Sequence, residues 1–156
     1  MSLMMVIGSP GRDQQKRTSG LTASSPGERS HATRPARILL VEDDFLVALE
    51  LEHRLLEAGF LVVGTASTAE EALELAASEK PELAIMDIRL AGLRDGIDAA
   101  KDLNAKLGVP SIFATAHANE AIRKRGEDAK PLGWLQKPYS TDALITLVNK
   151  AVSRPK

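Results

Sequence analysis

From Arg37 onward the chain alternates short apolar runs with longer stretches of helical period. The runs are Ile38-Leu39-Leu40-Val41, Phe60-Leu61-Val62-Val63, Leu83-Ala84-Ile85-Met86 and Ser111-Ile112-Phe113-Ala114, with a fifth over residues 132–136. Continuous apolar runs of this length, bounded by turn residues, read as strands buried on both faces. Between the first two, Asp44 can cap a helix through about Ala58, with Val47, Leu51, Leu55 and Ala58 on one stripe and Gly59 as its stop. Thr68-Ala69-Glu70-Glu71 has the form of a capping box, opening a helix whose Ala72, Leu73 and Ala76 face inward and which ends before Pro81. A third helix over residues 97–107 is closed by Gly108 and Pro110. The segment 119–128 is poorly apolar and predicts only a weak helix. Ser140 caps a last helix with a stripe of Leu144, Leu147, Val148 and Ala151.

Five strands alternating with five helices predict an α/β protein with a parallel sheet covered on both faces. Right-handed crossovers and short loops select a doubly wound, flavodoxin-like sheet in the order 2-1-3-4-5. In that order the first and third strands are neighbours at the centre, which brings Asp43 beside Asp87. The strand ends then deliver their chemistry to one rim. The first strand runs into Glu42-Asp43-Asp44, the third into Asp87, the fourth into Thr115 and the fifth into Lys137-Pro138. Open α/β sheets bind ligands at the carboxyl ends of their strands.

Composition changes this picture in only a few places. The 156 residues include no cysteine, which removes disulfides, thiolate metal sites and a cysteine nucleophile. A net charge of -1 argues against nucleic acid as the partner. Residues 1–36 carry five basic side chains (Arg12, Lys16, Arg17, Arg29, Arg34) against two acids (Asp13, Glu28), are rich in Ser, Gly and Pro, and lack an apolar period. They read as a disordered basic leader. The opening Met1 to Ile7 is too short and too poor in basic residues for a signal peptide, and no stretch is long enough for membrane insertion, so the expected location is cytoplasmic.

The rim residues make a chemical argument together that none makes alone. An Asp at a strand end is ordinarily a turn or cap residue, and Glu42-Asp43-Asp44 could simply favour a helix N-terminus. Gathered at one edge, however, the carboxylates repel, so that some must take up protons or share a cation. Oxygen ligands of this kind favour Mg²⁺. A neutralised cluster lets an aspartate attack a phosphoryl donor, with Lys137 and Thr115 placed to bind the phosphoryl oxygens. No Walker loop or dinucleotide fingerprint is present, so a nucleotide is not the expected donor.

Glu42-Asp43, Asp87, Thr115 and Lys137-Pro138, in this order and spacing, resemble the receiver domain of bacterial two-component response regulators. The resemblance covers residues 37–152 and leaves a short tail, 153–156. It implies that Asp87 is the phosphoacceptor, that Asp43, Asp87 and Glu42 hold Mg²⁺ with the backbone carbonyl of Arg89, and that Thr115 and Lys137 bind the phosphoryl group. Thr115 and Trp134 would occupy the switch positions, the latter more often Tyr or Phe in the family. The implied partner is a sensor histidine kinase or a phosphotransfer protein, donating from phosphohistidine. Phe113-Ala114-Thr115, Asp87-Ile88-Arg89-Leu90 and Asp95-Gly96-Ile97 are also similar to the FAT-GUY subgroup, whose members resemble partners of HWE-type kinases. The chain departs from that subgroup at Ala116-His117, where the motif has glycine and an apolar or aromatic residue.

The expectation is therefore a stand-alone phosphorylation switch, not an enzyme with a turnover substrate, since the residues after Lys137 suffice for one helix. Two readings compete with it. One is a receiver-like interaction module that never carries phosphate. The other is a flavodoxin-like redox carrier, against which Glu42-Asp43-Asp44 would repel an FMN phosphate. Arg89 and His117, each two residues past a rim residue, are expected to set phosphate lifetime. Arg123-Lys124-Arg125 reads as a solvated helix face, and His53 as a solvated or kinase-facing residue.

Overall fold

The computed structural model describes residues 34–155. All but the last three residues of the expected leader lie outside the described residues. Five strands and five α-helices alternate: β1 (Arg37–Val41), α1 (Phe45–Glu57), β2 (Leu61–Ala66), α2 (Ala69–Glu79), β3 (Leu83–Met86), α3 (Gly96–Leu107), β4 (Ser111–Thr115), α4 (Glu120–Gly126), β5 (Gly133–Gln136) and α5 (Thr141–Val152). The strands form one parallel sheet in the order β2-β1-β3-β4-β5, as the pattern predicts.

The apolar runs show why both faces are covered. Leu39, Val41, Ala84, Met86 and Phe113 point to one side, where α2 and α3 contribute Ala69, Ala72, Ala76, Ile97 and Leu103. Ile38, Leu40, Ile85, Ile112 and Ala114 point to the other, against Leu51 and Leu55 of α1 and Leu144 and Val148 of α5. Residues alternating across a strand therefore all meet apolar partners, and the polar alternation of a one-sided sheet is missing.

Most helix ends follow the sequence signals. Asp44 caps α1, its carboxylate accepting from the N–H groups of Leu46 and Val47, and Gly59 leaves the helix at φ +93°. Ser140 caps α5 by accepting from Ala143 N–H. At α2 the expected reciprocal box is incomplete. Thr68 accepts from Glu71 N–H, but the Glu71 carboxylate accepts from the N–H and hydroxyl of Ser67, one residue earlier than the cap. The reciprocal pair occurs instead at α3, between Asp95 and Asp98.

Three details depart from expectation. On α1 the inward stripe is Ala48, Leu51 and Leu55, with Val47 half-buried and Ala58 exposed. Strand β2 extends to Ala66, beyond the expected Val63, because pairing with β1 continues through Val41 after a bulge at Ile38/Leu39. The weak helix over 119–128 is a short α4 followed by a 3-10 turn, Glu127–Ala129.

Candidate functional site

The rim forms because the ladder registers bring strand ends level. Val41 pairs with Met86, and Asp87 N–H donates to Val41 C=O at 2.9 Å, so Glu42-Asp43 and Asp87 emerge side by side. Thr115 pairs with Gln136, and Lys137 N–H donates to Thr115 C=O at 2.9 Å. The Lys137–Pro138 peptide bond is cis.

The side chains then converge. Carboxylate oxygens of Glu42, Asp43 and Asp87 lie within 4.8 Å of one another, close enough to share one metal ion. Lys137 Nζ donates to Glu42 Oε2 at 2.8 Å and to Asp87 Oδ2 at 3.1 Å, spanning the sheet from its edge strand to its centre. Glu42 is only 6% exposed, and its other oxygen accepts from Asp44 N–H at 3.1 Å. Burial pushes the Glu42 carboxyl above its ordinary value. The Lys137 bond opposes that rise, while the nearby charge of Asp87 adds to it. Burial alone would lower Lys137, but Glu42 and Asp87 more than offset it and hold the ammonium well protonated. The cluster thus carries three carboxylates against one cation.

The remaining predicted residues surround this centre. Thr115 is buried at the end of β4, and its Oγ1 accepts from His117 N–H at 3.3 Å. Arg89 N–H donates to Asp87 Oδ1 at 3.3 Å, which places the Arg89 peptide against the Asp87 carboxylate. The side chains of Arg89 and His117 are exposed. Trp134 is half-buried, with its ring centroid 4.7 Å from that of Phe113. His53 lies away from the rim on α1, exposed and paired with Glu57 at 3.2 Å.

Two features escape the sequence reading. Gly96, the first residue of α3, packs directly on the Asp87 backbone: its N–H donates to Ile88 C=O at 2.7 Å, and a Cβ there would stand 1.9 Å from Asp87 C=O. The basic run of α4 is also no plain solvated face. Arg125 forms a two-pronged bond to Asp95, at 2.6 and 2.8 Å, and reaches Asp98 at 3.3 Å. The guanidinium of Arg123 sits 5.0 Å over the Trp134 ring. The signal for Arg125 was the acid pair Asp95/Asp98, legible only once α3 and α4 are known to be neighbours.

Oxygen donors alone, carrying excess negative charge and partly open to solvent, are a donor set suited to a hard divalent cation such as Mg²⁺. Among the described residues no helix is long and apolar enough to cross a membrane.

Comparison with known proteins agrees with this geometry. The family model described as response regulator receiver domain matches residues 38–149. The transcriptional regulatory protein PdtaR of Mycobacterium tuberculosis is 38% identical over 131 residues, covering 84% of this chain and 63% of that protein. The phyllosphere-induced regulator PhyR of Methylorubrum extorquens is 33% identical over 127 residues, covering 81% of this chain and 47% of that protein. The chain therefore spans less than two thirds of the length of either relative. Among solved structures, the signal receiver domain of a modulated diguanylate cyclase from Desulfovibrio desulfuricans is 33% identical with a TM-score of 0.72, covering 76% of this chain and 94% of that one. With the sheet order, the level strand ends and the matched residues in agreement, the chain belongs to the response regulator receiver domain family of two-component signalling.

Proposed function

We propose that residues 37–152 form a phosphorylation switch that accepts a phosphoryl group on Asp87 in a Mg²⁺-dependent reaction. The observation that carries this reading is the convergence of Asp87, Asp43 and Glu42 on one point, with Lys137 bonded to two of them. Asp43, Asp87 and Glu42 would hold the metal, with the Arg89 carbonyl from the adjoining peptide. Bound there, Mg²⁺ supplies charge neutralisation of the incoming phosphoryl oxygens. An Asp87 carboxylate oxygen forms the new O–P bond as the N–P bond of a donor phosphohistidine breaks, and the freed imidazole keeps the electron pair. Lys137 turns from Asp87 to a phosphoryl oxygen, and the Thr115 hydroxyl donates to another. Trp134, close to Lys137 on β5, reports or transmits the change.

The donor is a sensor histidine kinase or a phosphotransfer protein, of HWE type if the subgroup likeness carries over. Its docking face is supported by α1, where Phe45, Leu46 and Leu49 stand exposed immediately after the acidic residues. Output passes to a protein partner in the cytoplasm. Arg89 and His117 overhang the rim from exposed positions and set the rate at which water removes the phosphate.

The test begins with the metal. Asp43→Asn should keep the fold yet weaken Mg²⁺ binding by about tenfold or more, since it removes a charged oxygen from a site with few protein ligands. Titration calorimetry checks this. Phosphate uptake from a small phosphodonor should fall in parallel at Mg²⁺ levels that saturate the wild type. Wild-type Mg²⁺ affinity in the variant would show that Asp43 is no metal ligand, and no labelling of the wild type at saturating Mg²⁺ would favour the interaction module that never carries phosphate.

A further inference from the structure

α4 has little apolar surface to hold it against the sheet. Of its seven residues only Gly126 is buried and only Ile122 half-buried. It is fixed instead by polar and aromatic contacts at three places. Its entry loop hangs from Thr115 Oγ1 through His117 N–H. It is clasped to β5 by Arg123 over the Trp134 ring and by Gly126, so close to that ring that a Cβ would meet two of its atoms at 2.8 Å. Its last turn is tied to α3 by the fork of Arg125 on Asp95. Asp95 simultaneously caps α3 through the N–H groups of Ile97 and Asp98. Burial alone would raise the Asp95 carboxyl, but Arg125 and the two capping N–H groups more than offset it and keep it ionised.

These attachments run to different parts of the sheet. α3 is bound to the acceptor's own backbone, because Gly96 packs on Asp87 C=O and donates to Ile88 C=O. α4 is attached to Thr115 at the end of β4 and to Trp134 within β5. A phosphoryl group on Asp87 would draw Thr115 and Lys137 toward it and so shift α4 relative to α3. A planar two-pronged bond tolerates little displacement, and a contact made in only one of two arrangements biases the equilibrium toward that arrangement.

We infer that the Arg125–Asp95 pair is a latch that holds α4 in the ligand-free arrangement and thereby opposes occupation of Asp87. Arg125 is a positioning residue, acting on the site through the α3–α4 junction. The inference rests on Asp87 being the phosphoryl site, and it names how that site is restrained.

The test is the affinity of the Mg²⁺-saturated full chain for beryllofluoride, a phosphoryl mimic, followed by ¹⁹F NMR, with thermal stability measured on the same samples. Arg125→Ala and Asp95→Asn should each bind beryllofluoride about fivefold more tightly while losing some stability. Asn retains the cap of α3, so Asp95→Asn isolates the ionic bond. Arg125→Lys should fall between wild type and Arg125→Ala, and the double variant should be no tighter than either single one. A merely structural contact would lower stability and leave ligand affinity unchanged or weaker. That result in both single variants, or additive tightening in the double variant, overturns the latch. Failure of the wild type itself to bind beryllofluoride overturns the phosphoacceptor reading and the latch with it.

Discussion

Replacing Gly96 by alanine should cost the protein about 3 kcal/mol or more, although alanine is the better helix former by about 1 kcal/mol. The new Cβ would stand 1.9 Å from the Asp87 carbonyl oxygen, 2.8 Å from its carbon and 2.9 Å from Ile88 Cα. All three obstacles are backbone atoms, so no side chain can swing aside. Either α3 retreats, breaking the 2.7 Å bond from Gly96 N–H to Ile88 C=O, or the end of β3 shifts and takes the Asp87 carboxylate away from Asp43. The first route appears as lost stability in urea unfolding and the second as weakened Mg²⁺ binding. A variant with wild-type values for both would show that α3 does not seat on the Asp87–Ile88 backbone.

Removing the cation at the centre has a comparable effect of different origin. Lys137→Met keeps the length of the side chain but leaves buried Glu42 and Asp87 with no partner for the oxygens Lys137 now engages. Breaking a buried pair by deleting one member costs about 3–5 kcal/mol. Here a limit applies, because Glu42 can take up a proton instead. From its ordinary value of 4.5 to pH 7, that proton costs at most about 3 kcal/mol. Since the folded-state value is raised above the unfolded one, the penalty for ionised Glu42 is largest near neutral pH. The gap between variant and wild type should therefore narrow as pH falls toward 4.5. Mg²⁺ should restore much of the lost stability at pH 7 and bind the variant more tightly, having no ammonium to displace. Urea unfolding with and without Mg²⁺ at two pH values checks this. A pH-independent, metal-insensitive loss would mean that Lys137 matters for packing and not for charge.

The strands and the rim were legible because they depend on short local patterns. An apolar run ending in an acid, a hydroxyl or an amine states both the strand and what it delivers, and parallel topology does the rest. The order 2-1-3-4-5 followed from right-handed crossovers and short loops. What stayed hidden was what depends on the distance between elements. Asp95-Gly96 could be seen to precede a helix, but not that Gly96 would rest on Asp87 C=O. Arg125 looked solvated because its partners lie 30 and 27 residues away, on an element whose angle to α4 no local pattern encodes. The stripe of α1 erred by one position for the same reason. Val47 and Ala48 suit a helical period equally, and the packing of α1 on the sheet chose Ala48.

The two halves of the site divide the work. Glu42, Asp43 and Asp87 concentrate negative charge on a rigid sheet edge, which a cation must offset whether or not phosphate arrives. Lys137 performs that service in the ligand-free protein and would lie within reach of a phosphoryl group on Asp87. Thr115 stands between the site and α4, since its hydroxyl already holds the entry loop through His117 N–H. Among the described helices α4 has little apolar surface and is fastened by ionic and aromatic contacts, which suits an element proposed to shift when Asp87 is occupied.

The account stands or falls on where phosphate is carried. Full-length wild-type protein and Asp87→Asn should be incubated with Mg²⁺ and a small phosphodonor, and the intact mass followed before and after mild acid or hydroxylamine. The wild type should gain one labile phosphate that requires Mg²⁺, and Asp87→Asn, folded by circular dichroism, should gain none. Equal labelling of the two proteins, or no labelling of the wild type at saturating Mg²⁺, would contradict it.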